Sequence, residues 1–437
     1  MRADQDPRRR DAETAPEPWG VVAACAALMA ITAGIWYSAS VFFVALVQEF
    51  QQEYAVTAGV YSLFTVCYGI SGMIAGELVD RVGARRIILA GGILVMLALA
   101  ANSLAPTLGW MYASHGILVA SGMAASGYVP VSVLLTRSFR RHCGLAIGTA
   151  SAGVGIGILA IVPLAQFLIA RLGWRMAYGA LGCLAGGVIL PVAWLGLPCQ
   201  PFACPKPLAR GVEQRGRGDP FGRTLRILLG AANRREFWLV AATFTLINSP
   251  IQLMLTHHVA HMVEAEHAGM LVAGIVAIVG FVSVPGKILW GYLSDRWWLE
   301  TVYAAGVSCL VASIAILMST TPGSSGWTLY AYAILMGLGY AVSPTLTPIL
   351  GARFFAGPHF GAILGGLSVF YQTGGAVGVW LAGYSHDLTG NYQTAFAASI
   401  LCAFAGLTCA WFAGPRRVRV PGGAPRPQAS GVVTGEQ

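Results

Sequence analysis

Charged side chains are scarce in this chain of 437 residues, because Asp, Glu, Lys and Arg together make up only 10% of it. An ordinary soluble domain has about 25% of such residues. Apolar residues instead reach 56%. With so few charges to cover its surface, the chain cannot be a water-soluble globule. The composition indicates a protein surrounded by lipid.

Long polar stretches are also rare, and the chain consists mainly of apolar runs. A helix needs about 20 such residues to cross the hydrocarbon core of a bilayer, which is about 30 Å thick. The runs show no alternating ten-residue pattern of barrel strands, and a helix satisfies its own backbone hydrogen bonds in lipid. We therefore predict an all-α membrane protein with twelve transmembrane helices, at about 20–46, 56–78, 87–106, 108–134, 143–169, 175–198, 237–260, 269–293, 301–320, 327–352, 360–384 and 394–413.

Lysine and arginine are nearly absent from one side of this predicted topology. All but three of the 27 Lys and Arg residues fall in the two tails, in the middle loop or in the loops after even-numbered helices. The exceptions are Arg171, Arg175 and Lys287. Because loops rich in Lys and Arg stay in the cytoplasm, we expect both termini there, in a plasma membrane of the bacterial inner-membrane type. The net charge of +9 then reflects topology and attraction to anionic lipid, not a nucleic-acid partner.

Two stretches of the first half recur in the second half. "GELVDRVGARR" (76–86) and "GYLSDR" (291–296) follow predicted helices two and eight, and "GYVP" (127–130) matches "GYAVSP" (339–344). Six helices are thus used twice, which predicts two pseudo-symmetric six-helix halves. The predicted divisions are a cytoplasmic tail at 1–18, an N-terminal half at 19–198, a cytoplasmic linker at 199–236, a C-terminal half at 237–414 and a cytoplasmic tail at 415–437.

No Asp or Glu lies deep within a predicted helix, and two of the acidic residues near helix ends repeat. Asp80 and Asp295 lie at the cytoplasmic ends of helices two and eight. A carboxylate there can cap the N-terminus of a neighbouring helix and pair with arginines, and such contacts must break when the cytoplasmic side opens. We therefore predict a gating set, made of Asp80, Arg81, Asp295, Arg296, Arg137 and Arg353.

The pattern G-x-x-x-D-R-x-G-x-R-R after helix two, with its shorter copy after helix eight, resembles the signature of the major facilitator superfamily. The resemblance covers roughly residues 18–414. It is strongest toward the monocarboxylate porters and the oxalate/formate exchangers, because of Trp19 and Gly20 in helix one and "SFRRHCGLAIGTASAGVGIG" at 138–157. It implies a twelve-helix secondary transporter that works by alternating access, not an enzyme.

One charge remains inside the predicted membrane region. Lys287 lies eight residues before Asp295, which places it about 12 Å deeper along the helix. Inserting a lysine at such a depth costs roughly 2.5–3.5 kcal/mol. The side chain either snorkels to the interface or balances the charge of an anionic substrate. The resemblance favours a substrate, because monocarboxylate porters have an arginine at this position and some have an aspartate where Ser283 stands here.

Two absences narrow the expected substrate and its coupling. Helix eleven has no cation between 361 and 383, whereas the oxalate exchangers that the chain resembles carry a second lysine there for a second carboxylate. We therefore predict a small organic monocarboxylate, driven by protons or by an exchanged anion. One alternative is an exporter of hydrophobic or other organic compounds, which usually needs an embedded carboxylate. Another is a sensor that does not transport, for which the tails are short.

Hydroxyl, amide and imidazole groups complete the predicted binding site. Tyr128 and Tyr340 occupy equivalent Gly-Tyr positions in helices four and ten, so pseudo-symmetry directs both toward the centre. His115, on helix four, is either a proton relay or an internal polar contact. The sequence has no nucleotide-binding loop, metal-ligand pair or nucleophile with a base, so we predict no cofactor and no metal. Further candidates for the binding site are Tyr37, Ser283, His258, Tyr371 and Gln372.

Overall fold

The structure is a computed structural model that describes residues 17–52, 54–139, 141–198, 220–265, 269–320 and 326–413. Nearly all of the two predicted tails and the first part of the predicted linker, 199–219, lie outside these residues. The boundaries that the sequence suggests there stay predictions.

Eleven helical segments within the described residues are long and apolar enough to cross a membrane. We label the crossings α1 to α12 in chain order. They are α1 (Trp19–Tyr37 and Ala39–Phe50), α2 (Tyr54–Val82), α3 (Ala84–Ser103), α4 (Leu108–Ser138), α5 and α6 (together Cys143–Gly196), α7 (Arg235–Glu264), α8 (Gly269–Arg296), α9 (Leu299–Met318), α10 (Gly326–Phe355), α11 (Phe360–Thr389) and α12 (Gln393–Ala413).

The longest segment accounts for two of the crossings. Cys143–Gly196 spans 54 residues, about 81 Å at 1.5 Å per residue, which far exceeds a hydrocarbon core of about 30 Å. Its helical course breaks at Gly173, where φ is +78° and ψ is 162°. That conformation is open to glycine and costly for other residues. The chain therefore turns there, and α5 (143–172) and α6 (174–196) are separate crossings.

The repeated Asp-Arg motifs lie within the helices, in their final turns. α2 continues to Val82 and α8 to Arg296, several residues past the apolar runs that the sequence marks. Arg81 and Arg296 sit in the last turns, where a cation is favourable at the negative end of the helix dipole. Arg137 and Arg353 occupy the last turns of α4 and α10. We call the end of the bundle with these four arginines the basic end.

Two pairs of helices hold the two six-helix halves together. α2 of the first half packs along α11 of the second, and α5 packs along α8. The two pairs are related by the same exchange of halves that relates the repeated motifs. The interface between the halves is therefore pseudo-symmetric, and both motifs lie on it.

A short helix occupies part of the region that the sequence marks as a polar linker. Pro220–Ala232 forms this linker helix, and α7 already begins at Arg235. The linker helix packs against both α2 and α11. Its Leu228 lies over Gly366 of α11, at a site where an added Cβ would collide with the leucine side chain. Loss of apolar exposure on this face explains why a basic segment becomes helical there.

Candidate functional site

A central cavity of about 160 Å³ lies between the two halves. Seven helices contribute to its wall, namely α1, α2, α4 and α5 from the first half and α7, α10 and α11 from the second. Most of the wall is aromatic or aliphatic, with hydroxyl and amide groups at a few positions. The lining residues include Thr32, Trp36, Tyr37, Tyr68, Met123, Tyr128, Phe244, Gln252, Tyr340, Pro344, Thr347, Ser368, Tyr371 and Gln372.

Five of the sequence-predicted binding residues line this cavity: Tyr37, Tyr128, Tyr340, Tyr371 and Gln372. They come from both halves and from four different helices. The structure thus brings the two Gly-Tyr tyrosines to the same space, as their equivalent positions suggest. They supply four tyrosine hydroxyl groups and one amide to a wall that is mostly apolar.

Tyr128 also links the halves directly. Its hydroxyl donates a hydrogen bond to the backbone oxygen of Pro344 in α10, over 3.1 Å. That oxygen is free because residue 348, which would normally donate to it, is also a proline without an N–H group. The spacing of Pro344 and Pro348 in "SPTLTP" thus opens a polar contact in the middle of an apolar helix.

Lys287 lies one layer behind the cavity wall. Its side chain is fully buried, with 0% exposure, so it does not snorkel to water. The ammonium Nζ lies 4.7 Å from the centroid of the Tyr340 ring, and Tyr340 in turn lines the cavity. Among the residues that the structure describes, Nζ has no hydrogen-bond partner and no acidic side chain in ion-pair contact. Lys287 thus contacts a residue of the cavity wall without lining the cavity itself.

Close helix packing explains the burial of Lys287. At Gly148 of α5, an added Cβ would collide with the backbone oxygen of Lys287. On the other side, Trp290 of α8 donates from its indole N–H to the backbone oxygen of Leu338 in α10, over 2.9 Å. α5 and α10 therefore enclose this part of α8.

Two predicted binding residues lie away from the cavity wall. The hydroxyl of Ser283 donates to the backbone oxygen of Gly280 within its own helix, over 2.8 Å. His258 is buried between α7 and α10, where its Nδ1 lies 2.8 Å from the hydroxyl of Tyr332. Both side chains have partners inside their half, and neither is among the residues that line the cavity.

At the basic end, the two repeated aspartates cap helices of the opposite half. Asp80 of α2 accepts hydrogen bonds from the backbone N–H groups of Gly361 and Ala362 at the start of α11, each over 3.1 Å. Asp295 of α8 accepts from Gly144 and Leu145 at the start of α5, over 2.7 and 2.8 Å. A carboxylate at a helix N-terminus satisfies free N–H groups and interacts favourably with the helix dipole.

A glycine four residues before each aspartate lets the backbones approach. Gly76 of α2 meets Gly361 of α11, and Gly291 of α8 meets Gly144 of α5, so that a Cβ on any of the four would collide with backbone atoms or the capping side chains. The Gly-x-x-x-Asp spacing puts both residues on one helix face. The glycine provides the contact and the aspartate provides the cap.

The four arginines of the gating set have four different partners. Arg137 pairs with Asp80 over 2.5 Å, whereas Arg81 pairs with Glu77 over 2.5 Å. Arg353 pairs with Glu300 of α9 over 2.7 Å. The guanidinium carbon of Arg296 lies 4.2 Å from the ring centroid of Tyr292. The ion pairs described for Arg137 and Arg353, which occupy matching positions in the two halves, have different kinds of partner: a capping aspartate for Arg137 and a glutamate of α9 for Arg353.

Sequence reasoning missed a second polar contact at the basic end. Glu77 of α2 is buried and accepts a hydrogen bond from the hydroxyl of Thr224 in the linker helix, over 2.7 Å. Arg223 of the linker helix also lies 3.5 Å from this carboxylate. The sequence held a signal for this contact, because Glu77 follows Gly76 inside the repeated motif and has no counterpart in its copy.

Tyr68 and Gln252 of the cavity wall were also missed. Tyr68 lies four and eight residues before Gly72 and Gly76 of α2, which contact α11, so helical spacing places all three on one face. Gln252 lies four residues after Asn248 of α7, whose amide donates to the backbone oxygen of Tyr371 over 2.7 Å. Helical spacing from residues at the interface between the halves could therefore have predicted both Tyr68 and Gln252.

Twelve membrane crossings in two halves, a central cavity and matched closing contacts at one end define a multi-pass membrane transporter. The profile of the Major Facilitator Superfamily matches residues 24–357. The chain belongs to this superfamily, and the predicted major facilitator fold is confirmed.

Its curated relatives include several monocarboxylate transporters. Monocarboxylate transporter 13 of Rattus norvegicus is 27% identical over 409 residues, which cover 89% of this chain and 87% of the relative. Monocarboxylate transporter 12 of Homo sapiens is 24% identical over 417 residues, covering 88% and 78%. The resemblance to monocarboxylate porters seen in the sequence is confirmed at this level of similarity.

Among solved structures, the chain is similar to the fucose:proton symporter of E. coli. The TM-score is 0.68 at 17% sequence identity, and the match covers 90% of this chain and 98% of the symporter. A second structure of the same symporter, in the outward conformation, gives a TM-score of 0.66, also at 17% identity. These matches establish the fold.

Proposed function

We propose that this chain is a secondary active transporter of small organic monocarboxylates across the plasma membrane. The observation that carries the proposal is the ammonium group of Lys287, buried in the core of the bundle without a hydrogen-bond partner or resident acid among the described residues. The names of its curated relatives, which are monocarboxylate transporters, support the same substrate class.

The electrostatic balance favours an anionic ligand near Lys287. A lysine at the centre of a membrane helix costs roughly 2.5–3.5 kcal/mol to insert. The attraction between the ammonium and a carboxylate about 4 Å away would contribute about 4 kcal/mol at an effective dielectric constant near 20. The anion thus offsets the cost of keeping the cation in the core. One buried cation fits one carboxylate.

The cavity tyrosines would orient the bound anion. Tyr37, Tyr128 and Tyr340 would supply hydroxyl donors from α1, α4 and α10, Tyr128 after its hydroxyl turns away from the backbone oxygen of Pro344. A carboxylate accepts such donors on both of its oxygens. Tyr340 stands between the ammonium and the cavity, so a carboxylate reaches Lys287 past the edge of this ring or after the ring has turned aside.

Transport would follow alternating access, with the basic end facing the cytoplasm. The excess of Lys and Arg at that end supports this orientation. Asp80 and Asp295 would close the cytoplasmic side by capping α11 and α5, and release of both caps would let the halves rock apart around the central site. The linker helix, through Thr224 and Glu77, would add a third contact to the closed side.

The direct test is uptake by purified protein in proteoliposomes. We expect accumulation of labelled lactate, pyruvate or acetate, and little accumulation of oxalate or succinate. Assays with and without an imposed pH gradient distinguish proton coupling from exchange against an internal anion. Extrusion of lipophilic cations without any carboxylate uptake would contradict the proposal and favour an exporter.

Substitution of Tyr340 tests the role of the ring between the ammonium and the cavity. Tyr340→Phe keeps the ring over Nζ and removes one hydroxyl, a loss of about 0.5–1.5 kcal/mol, so KM for the carboxylate should rise by about 3–10-fold. Tyr340→Ala also removes the cation–π contact, worth about 0.5–2 kcal/mol, and kcat/KM should fall by a further order of magnitude.

Initial uptake rates over a range of carboxylate concentrations measure both effects. Tyr384→Phe is the matched control, since Tyr384 is exposed on the outer surface of α11 and its hydroxyl is not part of the cavity wall. If Tyr340→Ala transported with unchanged kcat/KM, the ring would have no part in anion binding.

A further inference from the structure

A second, smaller pocket of about 60 Å³ lies inside the first half, beside the central cavity. The two share Trp36 and Met123 as wall residues. His115 is the titratable imidazole in the wall of the smaller pocket. We call this space the His115 pocket, and its other lining residues are Ile35, Ala39, Tyr61, Phe64 and Thr65.

The backbone around His115 departs from a regular helix. Residues Tyr112–Val119 of α4 form a π-helix, and such segments are rare and frequently mark functional sites. The imidazole is buried, with 4% exposure. α2 approaches closely at this level, since an added Cβ at Gly116 would lie 3.0 Å from the side chain of Leu63.

Three aromatic rings surround the imidazole. Their centroids lie 5.3 Å away for Tyr61, 5.4 Å for Phe64 and 5.8 Å for Tyr178. Aromatic faces within about 6 Å attract a cation. Aromatic rings at these distances can interact favourably with an imidazolium and offset part of the cost of burying its charge.

Asn102 of α3 supplies the polar partner of the imidazole. Its amide nitrogen lies 3.0 Å from Nδ1 of His115, an arrangement in which the amide donates and the neutral ring carries its hydrogen on Nε2. The amide oxygen of Asn102 is buried and has no hydrogen-bond partner among the described residues. A half-turn of the amide would bring this oxygen to Nδ1, where it would accept a hydrogen bond from a protonated ring.

We propose that the His115 pocket is a proton-binding site of this transporter. A proton from water in the central cavity attaches to the lone pair of Nδ1, the Asn102 amide turns to accept the new N–H, and the proton leaves by the same route. The ring is neutral when Nδ1 accepts and positively charged when Nδ1 donates.

The described groups in contact with His115 are uncharged. The groups that face it are Trp36 from α1, Tyr61 and Phe64 from α2, Asn102 from α3 and Tyr178 from α6, and none of them carries a charge near neutral pH. A charged pair, Glu49 with Arg175, is linked to this group of residues because Arg175 stacks over Trp174 beside Tyr178. An anion in the central cavity is therefore the charge best placed to stabilise the imidazolium.

Stabilisation of protonated His115 by a bound anion rests on the proposed function, and it couples proton binding to carboxylate binding. If the anion favours the protonated ring, then the protonated ring favours the anion by the same factor. Carboxylate affinity should rise as pH falls, by up to about tenfold per pH unit for one coupled proton. Proton and monocarboxylate would then cross together.

Nuclear magnetic resonance of histidine-labelled protein in nanodiscs tests the site without any transport. The signal that disappears in His115→Gln is the one to follow between about pH 8 and pH 5, the range in which histidine ordinarily titrates. We expect a shift from neutral to charged imidazole, at higher pH when lactate and pyruvate are present. A His115 signal that stays neutral throughout, with and without these anions, would overturn the inference.

A second variant keeps the test decisive if His115→Gln does not fold. Asn102→Leu leaves the imidazole in place and removes its acceptor, so His115 should take up its proton only at lower pH. A titration unmoved by this change would contradict the role given to the amide.

Uptake assays at several pH values complete the test. In His115→Gln, KM for lactate or pyruvate should become nearly independent of pH, whereas His386→Gln, a change outside both cavities, should keep the wild-type profile. An unchanged pH profile in His115→Gln would overturn the proton site and leave carboxylate transport standing. If the wild type takes up no carboxylate, the proposed function fails and the magnetic resonance titration alone decides the proton site.

Discussion

Lys287→Gln should lower monocarboxylate uptake by two to three orders of magnitude while leaving a folded protein in the membrane. The reason is electrostatic, because the variant loses an attraction of about 4 kcal/mol between the ammonium and the carboxylate, and every 1.4 kcal/mol corresponds to about a factor of ten. Glutamine is polar and one atom shorter than lysine, and the contact with Gly148 is made by the backbone of residue 287, so the packing of α8 against α5 is kept. Uptake of labelled lactate or pyruvate into proteoliposomes measures the loss.

Stability separates this effect from simple misfolding. Removing a charge that costs roughly 2.5–3.5 kcal/mol to bury should leave thermal stability in detergent unchanged or raise it. Lys287→Arg should retain part of the activity, because the positive charge remains although the donor geometry differs. Arg171→Gln, which removes an exposed charge at the end of α5, is the matched control and should transport normally. Undiminished uptake by Lys287→Gln would show that Lys287 does not balance the charge of the bound carboxylate.

The position of Lys287 shows what the sequence could and could not predict. Its burial followed from counting residues back from Asp295. The absence of an acidic partner among the described residues followed from the scarcity of carboxylates within the helices. That a tyrosine ring stands between the ammonium and the cavity did not follow. It depends on how α8 and α10 turn against each other, which is decided by side-chain packing between residues far apart in the chain.

The other residues of the candidate site also divide into those that the sequence could predict and those that it could not. Tyr128 and Tyr340 were predictable because internal repetition constrains where both point. Ser283 and His258 were candidates because the family that the chain resembles has functional side chains at these positions. Here they hydrogen-bond to local partners, Gly280 and Tyr332, and do not line the cavity. A hydroxyl or imidazole group on a helix can bind a ligand, or it can hydrogen-bond to a neighbouring residue. Helical periodicity alone does not distinguish the two outcomes.

The sequence predicted that paired contacts form at the basic end, but it did not predict which residues are the partners. A repeated Gly-x-x-x-Asp motif in each half indicated paired contacts, yet the partners Gly361 and Gly144 lie 285 and 147 positions away from Gly76 and Gly291. The linker helix was missed because its apolar face is short and its flanks are basic. Long-range packing gives this segment its helical form, and a local pattern carries little of that information.

The largest conformational effect should come from removing both capping aspartates. In Asp80→Ala with Asp295→Ala, α11 and α5 each lose a charged N-terminal cap, at about 1–2 kcal/mol per helix. The closed basic end should then become less stable by about 2–4 kcal/mol, a shift of roughly two orders of magnitude in the ratio of closed to open. Because a transporter must close each side in turn, uptake should fall sharply even though the central site is intact.

Cys143 provides a reporter already present in the chain. It begins α5, next to Gly144 and Leu145 whose N–H groups Asp295 caps, and it is only partly exposed in the closed form. Labelling of Cys143 by a membrane-impermeant thiol reagent, followed by peptide mass spectrometry, should rise several-fold in the double variant. Asp387→Ala, a change at the opposite end of α11, is the control and should leave labelling and uptake at wild-type levels.

Asparagine at the same two positions gives an intermediate case that tests the cause. Asn keeps one oxygen that can accept from a backbone N–H and loses the charge, so Asp80→Asn with Asp295→Asn should lie between wild type and the alanine pair in both labelling and uptake. If the alanine pair closed as well as wild type, the glycine contacts of Gly76 and Gly291 and the Thr224–Glu77 contact of the linker helix would hold the basic end. The aspartates would then serve only to cap the N-termini of two helices. A graded response across Asp, Asn and Ala instead assigns the closing free energy to the caps, and thereby explains why the motif repeats a carboxylate as well as a glycine.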